Sequence, residues 1–316
     1  MNKISFKVRI QCMTYNQASY ITDAMKGFTM QQTDFPFVCT IIDDASTDGE
    51  QNVIKKYLRD NFDLENESVV RNEETDDYIL CFAQHKTNKN CFFAVLWLKY
   101  NHCGIKKSKA MYYSDWENNV KYVALCEGDD YWTDPLKLQK QFDYMESHPG
   151  CVLCTHAHYD DKEGTLTASH RYDHDVDDCP LEDIMRIGGG FVATNSMMFK
   201  AALMKQELPE WYKISTVGDI VLMYWLKMHG EVAYINTIMS AYRIASEGSW
   251  TQRMGNNWKK RNHFFRKAIE MHTEFDCWSE GRYHTIVSAK IKHIKELKRN
   301  ENISQIKRWI LKLLNR

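Results

Sequence analysis

Two apolar runs that break off into carboxylates constrain this chain more than any other feature. Phe37–Ile42 leads into Asp43–Asp44, and Tyr122–Cys126 leads into Glu127–Gly128–Asp129–Asp130. A short, nearly unbroken apolar run suits a strand buried on both faces, and such strands belong to parallel sheets covered by helices. In an open sheet of that kind the loops past the strands' carboxyl ends converge on one edge, where ligands collect. Two acidic clusters at that edge mark a candidate site.

The rest of the chain alternates in the same way. Val8–Met13 reads as a first strand. Ile21, Ala24, Met25 and Phe28 recur at helical spacing, as do Val53, Ile54, Tyr57 and Leu58 behind Asp48, whose charge suits a helix N-terminus. Phe92–Tyr100 and Pro135–His148 are further helix candidates, Cys151–Thr155 a strand, Tyr159–Glu182 a polar acidic stretch and Gly188–Gly190 a turn. Phe191–Phe199 is strand-like, Ile220–Met228 an apolar helix and Val232–Ile235 a strand, and from about Arg253 the pattern is helical and increasingly basic. The expectation is an α/β fold: a mostly parallel nucleotide-binding sheet flanked by helices over residues 1–250, with a helical, basic C-terminal extension over 251–316.

With 316 residues, 44% of them hydrophobic, the chain can bury a sizeable core. A formal net charge of −1, with both signs intermixed, argues against a nucleic-acid partner met through phosphate neutralisation. No apolar stretch near Met1 has the length of a signal segment or a membrane span, so the expected location is the cytoplasm. The ten cysteines then read as small buried residues, and Cys151–His158, though spaced like half a zinc site, has no second pair to close it. Lys290–Arg316 has the pattern of an amphipathic basic helix, suited either to peripheral contact with the inner face of the cytoplasmic membrane or to packing back on the domain.

Carboxylates crowded at Glu127, Asp129 and Asp130 repel one another unless a cation intervenes. Mg²⁺ or Mn²⁺ takes one or two carboxylates plus phosphate oxygens, which makes Asp129 a metal-ligand candidate, and Gly128 leaves room for the ligand. Asp43 or Asp44 suits a base N–H or ribose hydroxyls, whereas Ser46–Asp48 suits helix capping. Asp219, before an apolar helix, reads either as an N-cap or as a general base.

Taken in order, Thr14–Tyr15–Asn16, Asp43–Gly49 and Glu127–Trp132 resemble the donor-site motifs of inverting glycosyltransferase family 2, and Tyr122–Gln141 is similar to a bacterial subgroup of it. The resemblance implies a GT-A fold. It further implies transfer of a sugar from a nucleotide diphosphate sugar, UDP-linked by expectation, to a hydroxyl of a saccharide or lipid-linked acceptor in cell-surface polysaccharide or lipopolysaccharide synthesis. It places Thr14, Tyr15, Asn16, Asp43, Asp44, Asn88, Lys89, Glu127, Gly128 and Asp129 around the donor, with Asp129 on the metal and Asp219 as the base. Thr194 and Ser196 would line the acceptor side, and Arg243 and Trp250 the acceptor or diphosphate pocket. Ala245 stands where relatives often have histidine, which implies weaker metal ligation and leaves a catalytically decayed nucleotide-sugar-binding or scaffold protein as the alternative.

Overall fold

Alternating strands and helices do build one sheet with covered faces. The computed structural model of the chain describes residues 4–105, 107–113, 120–246, 249, 252, 254 and 257–314, with the side chains of 110, 113 and 305–314 outside that description. In chain order the elements are β1 (Val8–Thr14), α1 (Ile21–Thr29), β2 (Phe37–Asp43), α2 (Glu50–Asn61), β3 (Phe62–Asp63), β4 (Arg71–Glu74), β5 (Tyr78–His85), β6 (Cys91–Leu98), β7 (Tyr122–Leu125), β8 (Tyr131–Trp132), α3 (Lys137–Ser147), β9 (Cys151–Lys162), β10 (Thr165–Ser169), α4 (Leu181–Ile187), β11 (Met198–Lys200), α5 (Glu210–Ile214), α6 (Gly218–Lys227), β12 (Glu231–Arg243), α7 (Trp258–Trp278) and α8 (His284–Leu314).

The sheet runs β3-β5-β6-β2-β1-β7-β11-β9-β12-β8, with β4 on β5 and β10 on β9. Its middle, β6-β2-β1-β7, is parallel; β5 and β11 join it antiparallel, and β9 pairs in parallel with β12. Neighbouring strand residues feed opposite faces. Ile42, Leu96 and Val123 pack into one core, and Ile41, Val95 and Ala124 into the other.

Three sequence expectations need correction. Phe92–Tyr100 is not a helix: Cys91–Leu98 is strand β6, buried along its whole length between β2 and β5. An unbroken apolar run has no period to read, so strand and helix look alike in it. Phe191–Phe199 is not one strand, because Thr194–Ser196 coils into a 3-10 turn and pairing begins only at Met198. β9 and β12 continue well past Thr155 and Ile235, so part of the acidic stretch after Tyr159 is strand, held by the partner β10.

α6 ends at Lys227, and β12 begins at Glu231 opposite Cys151, at the far end of β9 from the carboxyl edge. The helix's ten residues, at about 1.5 Å each, lead directly into that strand. The first part of α8 packs back on the domain: Lys290 Nζ donates to Arg186 O at 3.0 Å, Val287 and Ile294 are buried, and Glu301 pairs with Arg261 of α7 at 2.6 Å. Among the described residues, no helix is long and apolar enough to cross a membrane.

Candidate active site

β1, β2 and β7 end side by side, so the loops after Thr14, Asp43 and Leu125 meet at one edge. Their backbones are tied directly: Gly128 N donates to Met13 O at 3.1 Å and Asp44 N to Thr14 O at 3.0 Å. Asn16, at φ 54°, donates from its N–H to Ser46 Oγ and accepts from Thr47 N, each at 2.8 Å, so its side chain staples loop to loop. Tyr15, beside it, is 41% exposed.

The centre of this staple is Glu50, which sequence reading passed over. Its buried carboxylate accepts from Thr14 Oγ1, from Gln17 N at 2.9 Å and from Ser46 Oγ at 2.8 Å. Burial pushes its carboxyl up, partly offset by these donors. Its signal in the sequence was only its place directly after Asp48–Gly49 at a helix start. Glu50→Ala takes the shared acceptor from buried Thr14 and from half-buried Gln17 and Ser46, and we expect a loss of roughly 2 kcal/mol in stability, read by denaturant unfolding; a loss below about 1 kcal/mol would mean water replaces the carboxylate.

Asp43 is fully buried, accepts from Gln51 Nε2 at 2.6 Å and has its carboxyl raised by burial. Asp44 turns elsewhere. Its carboxylate accepts from His102 N at 2.7 Å and Cys103 N at 3.1 Å and pairs with Lys109 at 2.8 Å, so it anchors the loop after β6 rather than facing a base. Ala45 between that loop and Ser46 sits at φ 62°, a left-handed conformation costly to any residue with a Cβ.

In the third loop, Asp129 is 7% exposed and accepts from Ser246 Oγ at 2.6 Å. Asp130 is buried, and desolvation first and the Asp129 charge second drive its carboxyl well above the usual range. Glu127 is exposed next to them. Arg243 is not available to a diphosphate as expected. Its N–H donates to Asp130 at 2.9 Å, its Nη1 to Asp129 O at 2.8 Å and its Nη2 to Asp23 at 2.6 Å, and its guanidinium lies over Tyr131 and Tyr20. It latches the acidic loop to α1, a link of 220 residues that no local pattern announces.

Asn88 and Lys89 are misplaced by the sequence reading. They precede β6, whose first residue pairs with Phe37, while Trp97 at its other end pairs with Asp43. Six strand steps put them roughly 20 Å from the acidic edge, where Asn88 Nδ2 ties down Thr29 O and Gln31 O. Ser196 is wholly buried with its hydroxyl on Ala193 O, so it does not face an acceptor; Thr194 is half-buried. Its neighbour Asn195 proves structural, bonded to Ala241 O and Ser240 Oγ at 2.8 Å each. Trp250 lies outside the described residues.

Asp219 is not the N-cap of α6, which is Val217; it lies in the first turn, where its carboxylate accepts from Ile220 N at 2.7 Å and burial raises its carboxyl. A Cβ on Gly189 would stand 3.7 Å from its Oδ2, so the glycine turn forms the neighbouring wall. The structure thus brings Thr14, Tyr15, Asn16, Asp43, Gly128 and Asp129 to one edge of the sheet.

No family model matches the chain. Uncharacterized proteins of Mycobacterium bovis (Mb1547) and Mycobacterium tuberculosis (Rv1520) are each 29% identical over 276 residues. The match covers 83% of this chain and 66% of each relative, so the chain spans just under two thirds of their length. Among solved structures, S. aureus TarS 1-349 in complex with UDP superposes with a TM-score of 0.52 at 14% identity, over 86% of this chain and 66% of that one. Its complex with UDP-GlcNAc gives 0.52 at 15% identity, over 86% and 67%. The longer S. aureus TarS structure gives 0.55 at 14% identity, over 86% of this chain and 40% of that one. At such identities the likeness is one of architecture, and this chain has the α/β fold of the TarS structures.

Proposed function

We propose that this chain is an inverting glycosyltransferase that takes a sugar from a UDP-linked or related nucleotide diphosphate donor. The acceptor is a hydroxyl of a saccharide or lipid-linked saccharide, in cell-surface polysaccharide or lipopolysaccharide synthesis. The observation that carries this reading is the meeting of the Asp43 and Asp129 loops, from distant parts of the chain, at the carboxyl edge of one sheet. The shared fold supports it, since TarS is solved with UDP and with UDP-GlcNAc.

In this reading Asp43 and the Thr14 loop receive the base and ribose, whose N–H and hydroxyls a buried carboxylate accepts well. Asp129 would hold Mg²⁺ or Mn²⁺. Among the described residues no group of three or more His, Cys, Asp or Glu is arranged around a metal. One carboxylate beside like charges fits an ion that completes its shell with donor phosphates and water. Such an ion, when bound, stabilises charge on the departing diphosphate. Asp219 takes the proton of the acceptor hydroxyl, and a single displacement inverts the anomeric centre.

The test is calorimetric binding of a nucleoside diphosphate panel with and without Mn²⁺. Wild type is expected to bind one member in a metal-dependent way, with Asp129→Ala weaker by at least about tenfold. A folded wild type that binds no member would favour a scaffold role instead.

A further inference from the structure

We propose that the buried Lys137 is a positioning residue that holds the acidic loop and the Thr194–Ser196 turn in register with each other. The inference rests on the donor-site reading above for its functional consequence. Lys137 opens α3 and is fully buried, with its ammonium 4.0 Å from the centre of the Trp132 indole. Its Nζ donates to Gln141 Oε1 at 2.7 Å. The same Gln141 amide donates to Ser196 O at 2.8 Å and Cys154 O at 2.9 Å. Trp132, two residues past Asp130, donates its indole N–H to Asn195 O at 2.9 Å.

Lys137 therefore touches two arms that end on the same turn. One runs through Trp132 to the acidic loop and to Asn195, the other through Gln141 to Ser196. Burying an ammonium is expensive unless its partners are well placed. Here they are a ring face and an amide oxygen, and burial lowers the lysine to about 7. Methionine would fill the volume at less cost. What it would not do is donate to Gln141 Oε1 and so fix which way that amide faces. A residue whose contacts serve orientation rather than filling is what the geometry describes.

The experiment compares wild type with Lys137→Met. Amide hydrogen exchange is expected to quicken about tenfold in both 126–134 and 193–198, and to stay unchanged in α7 and α8. The near-ultraviolet circular dichroism band of Trp132, isolated as wild type minus Trp132→Phe, is expected to collapse. Nucleotide affinity should fall about tenfold, while a buried α8 variant matched for melting temperature, Ile294→Ala, retains it. Exchange that quickens in only one segment, or everywhere equally, overturns the proposal, as does an intact Trp132 band. Should wild type bind no nucleotide, the donor reading falls, while exchange and dichroism still decide the positioning claim. If Lys137→Met does not fold, Gln141→Leu cuts the second arm and must quicken 193–198 alone.

Discussion

Asp219→Asn is expected to lower sugar transfer by roughly 10²–10⁴-fold while donor affinity stays within about twofold of wild type. The amide has the shape of the acid, and its oxygen can still accept from Ile220 N, so that contact and the fold survive. What is lost is the capacity to take a proton. Burial raises the Asp219 carboxyl above its ordinary value, and a base works only when ionised. The rate should therefore fall as pH drops through that raised pKa, with the acid limb lying above the usual carboxylate range near 4. Initial rates across pH, with donor affinity by calorimetry, check both statements. Unchanged turnover in the variant would remove Asp219 from the mechanism; lost donor binding would make its role structural.

Gly128→Ala is expected to be nearly as damaging, by a different route. A Cβ there would lie 2.5 Å from Gln17 Oε1, 2.7 Å from Thr14 Cβ and closer still to Thr14 Oγ1. The Gln17 amide tip can swing aside, but the Thr14 atoms cannot. Thr14 closes a central strand and its hydroxyl is bonded to the buried Glu50, while Gln17 N is bonded to the same carboxylate. The acidic loop must move instead, carrying Asp129 with it. Overpacking of this kind costs about 1–3 kcal/mol, and we expect nucleotide affinity to fall more than about tenfold as well. Thermal unfolding and calorimetry on one preparation separate the two effects. A variant with wild-type stability and affinity would show that the loop has slack the geometry does not reveal.

Much of this was legible in local pattern. The runs at Phe37–Ile42 and Tyr122–Cys126 announced central strands because a strand with sheet on both sides and helices over both faces is apolar along nearly its whole length. The same property hid β6, where eight buried residues carry no period at all. Asn88 and Lys89 were assigned to the wrong edge because motif order says which residues follow a strand, not which end of it they occupy. The loop that reaches the acidic edge is the one after β6, held by Asp44 through His102, Cys103 and Lys109.

The α/β alternation, the carboxylates at strand ends and the acid at the start of α6 are written in the sequence alone. Each follows from neighbours within one or two turns of chain. Only the tertiary structure decided that Glu50 is the clamp of the donor loops, that Arg243 is spent on Asp23, Asp129 and Asp130, and that Lys137 faces Trp132. Most of those contacts join residues tens to hundreds of positions apart, and all are made by polar groups whose partners burial selects. A buried polar group must find some partner, but which partner it finds depends on how the elements pack.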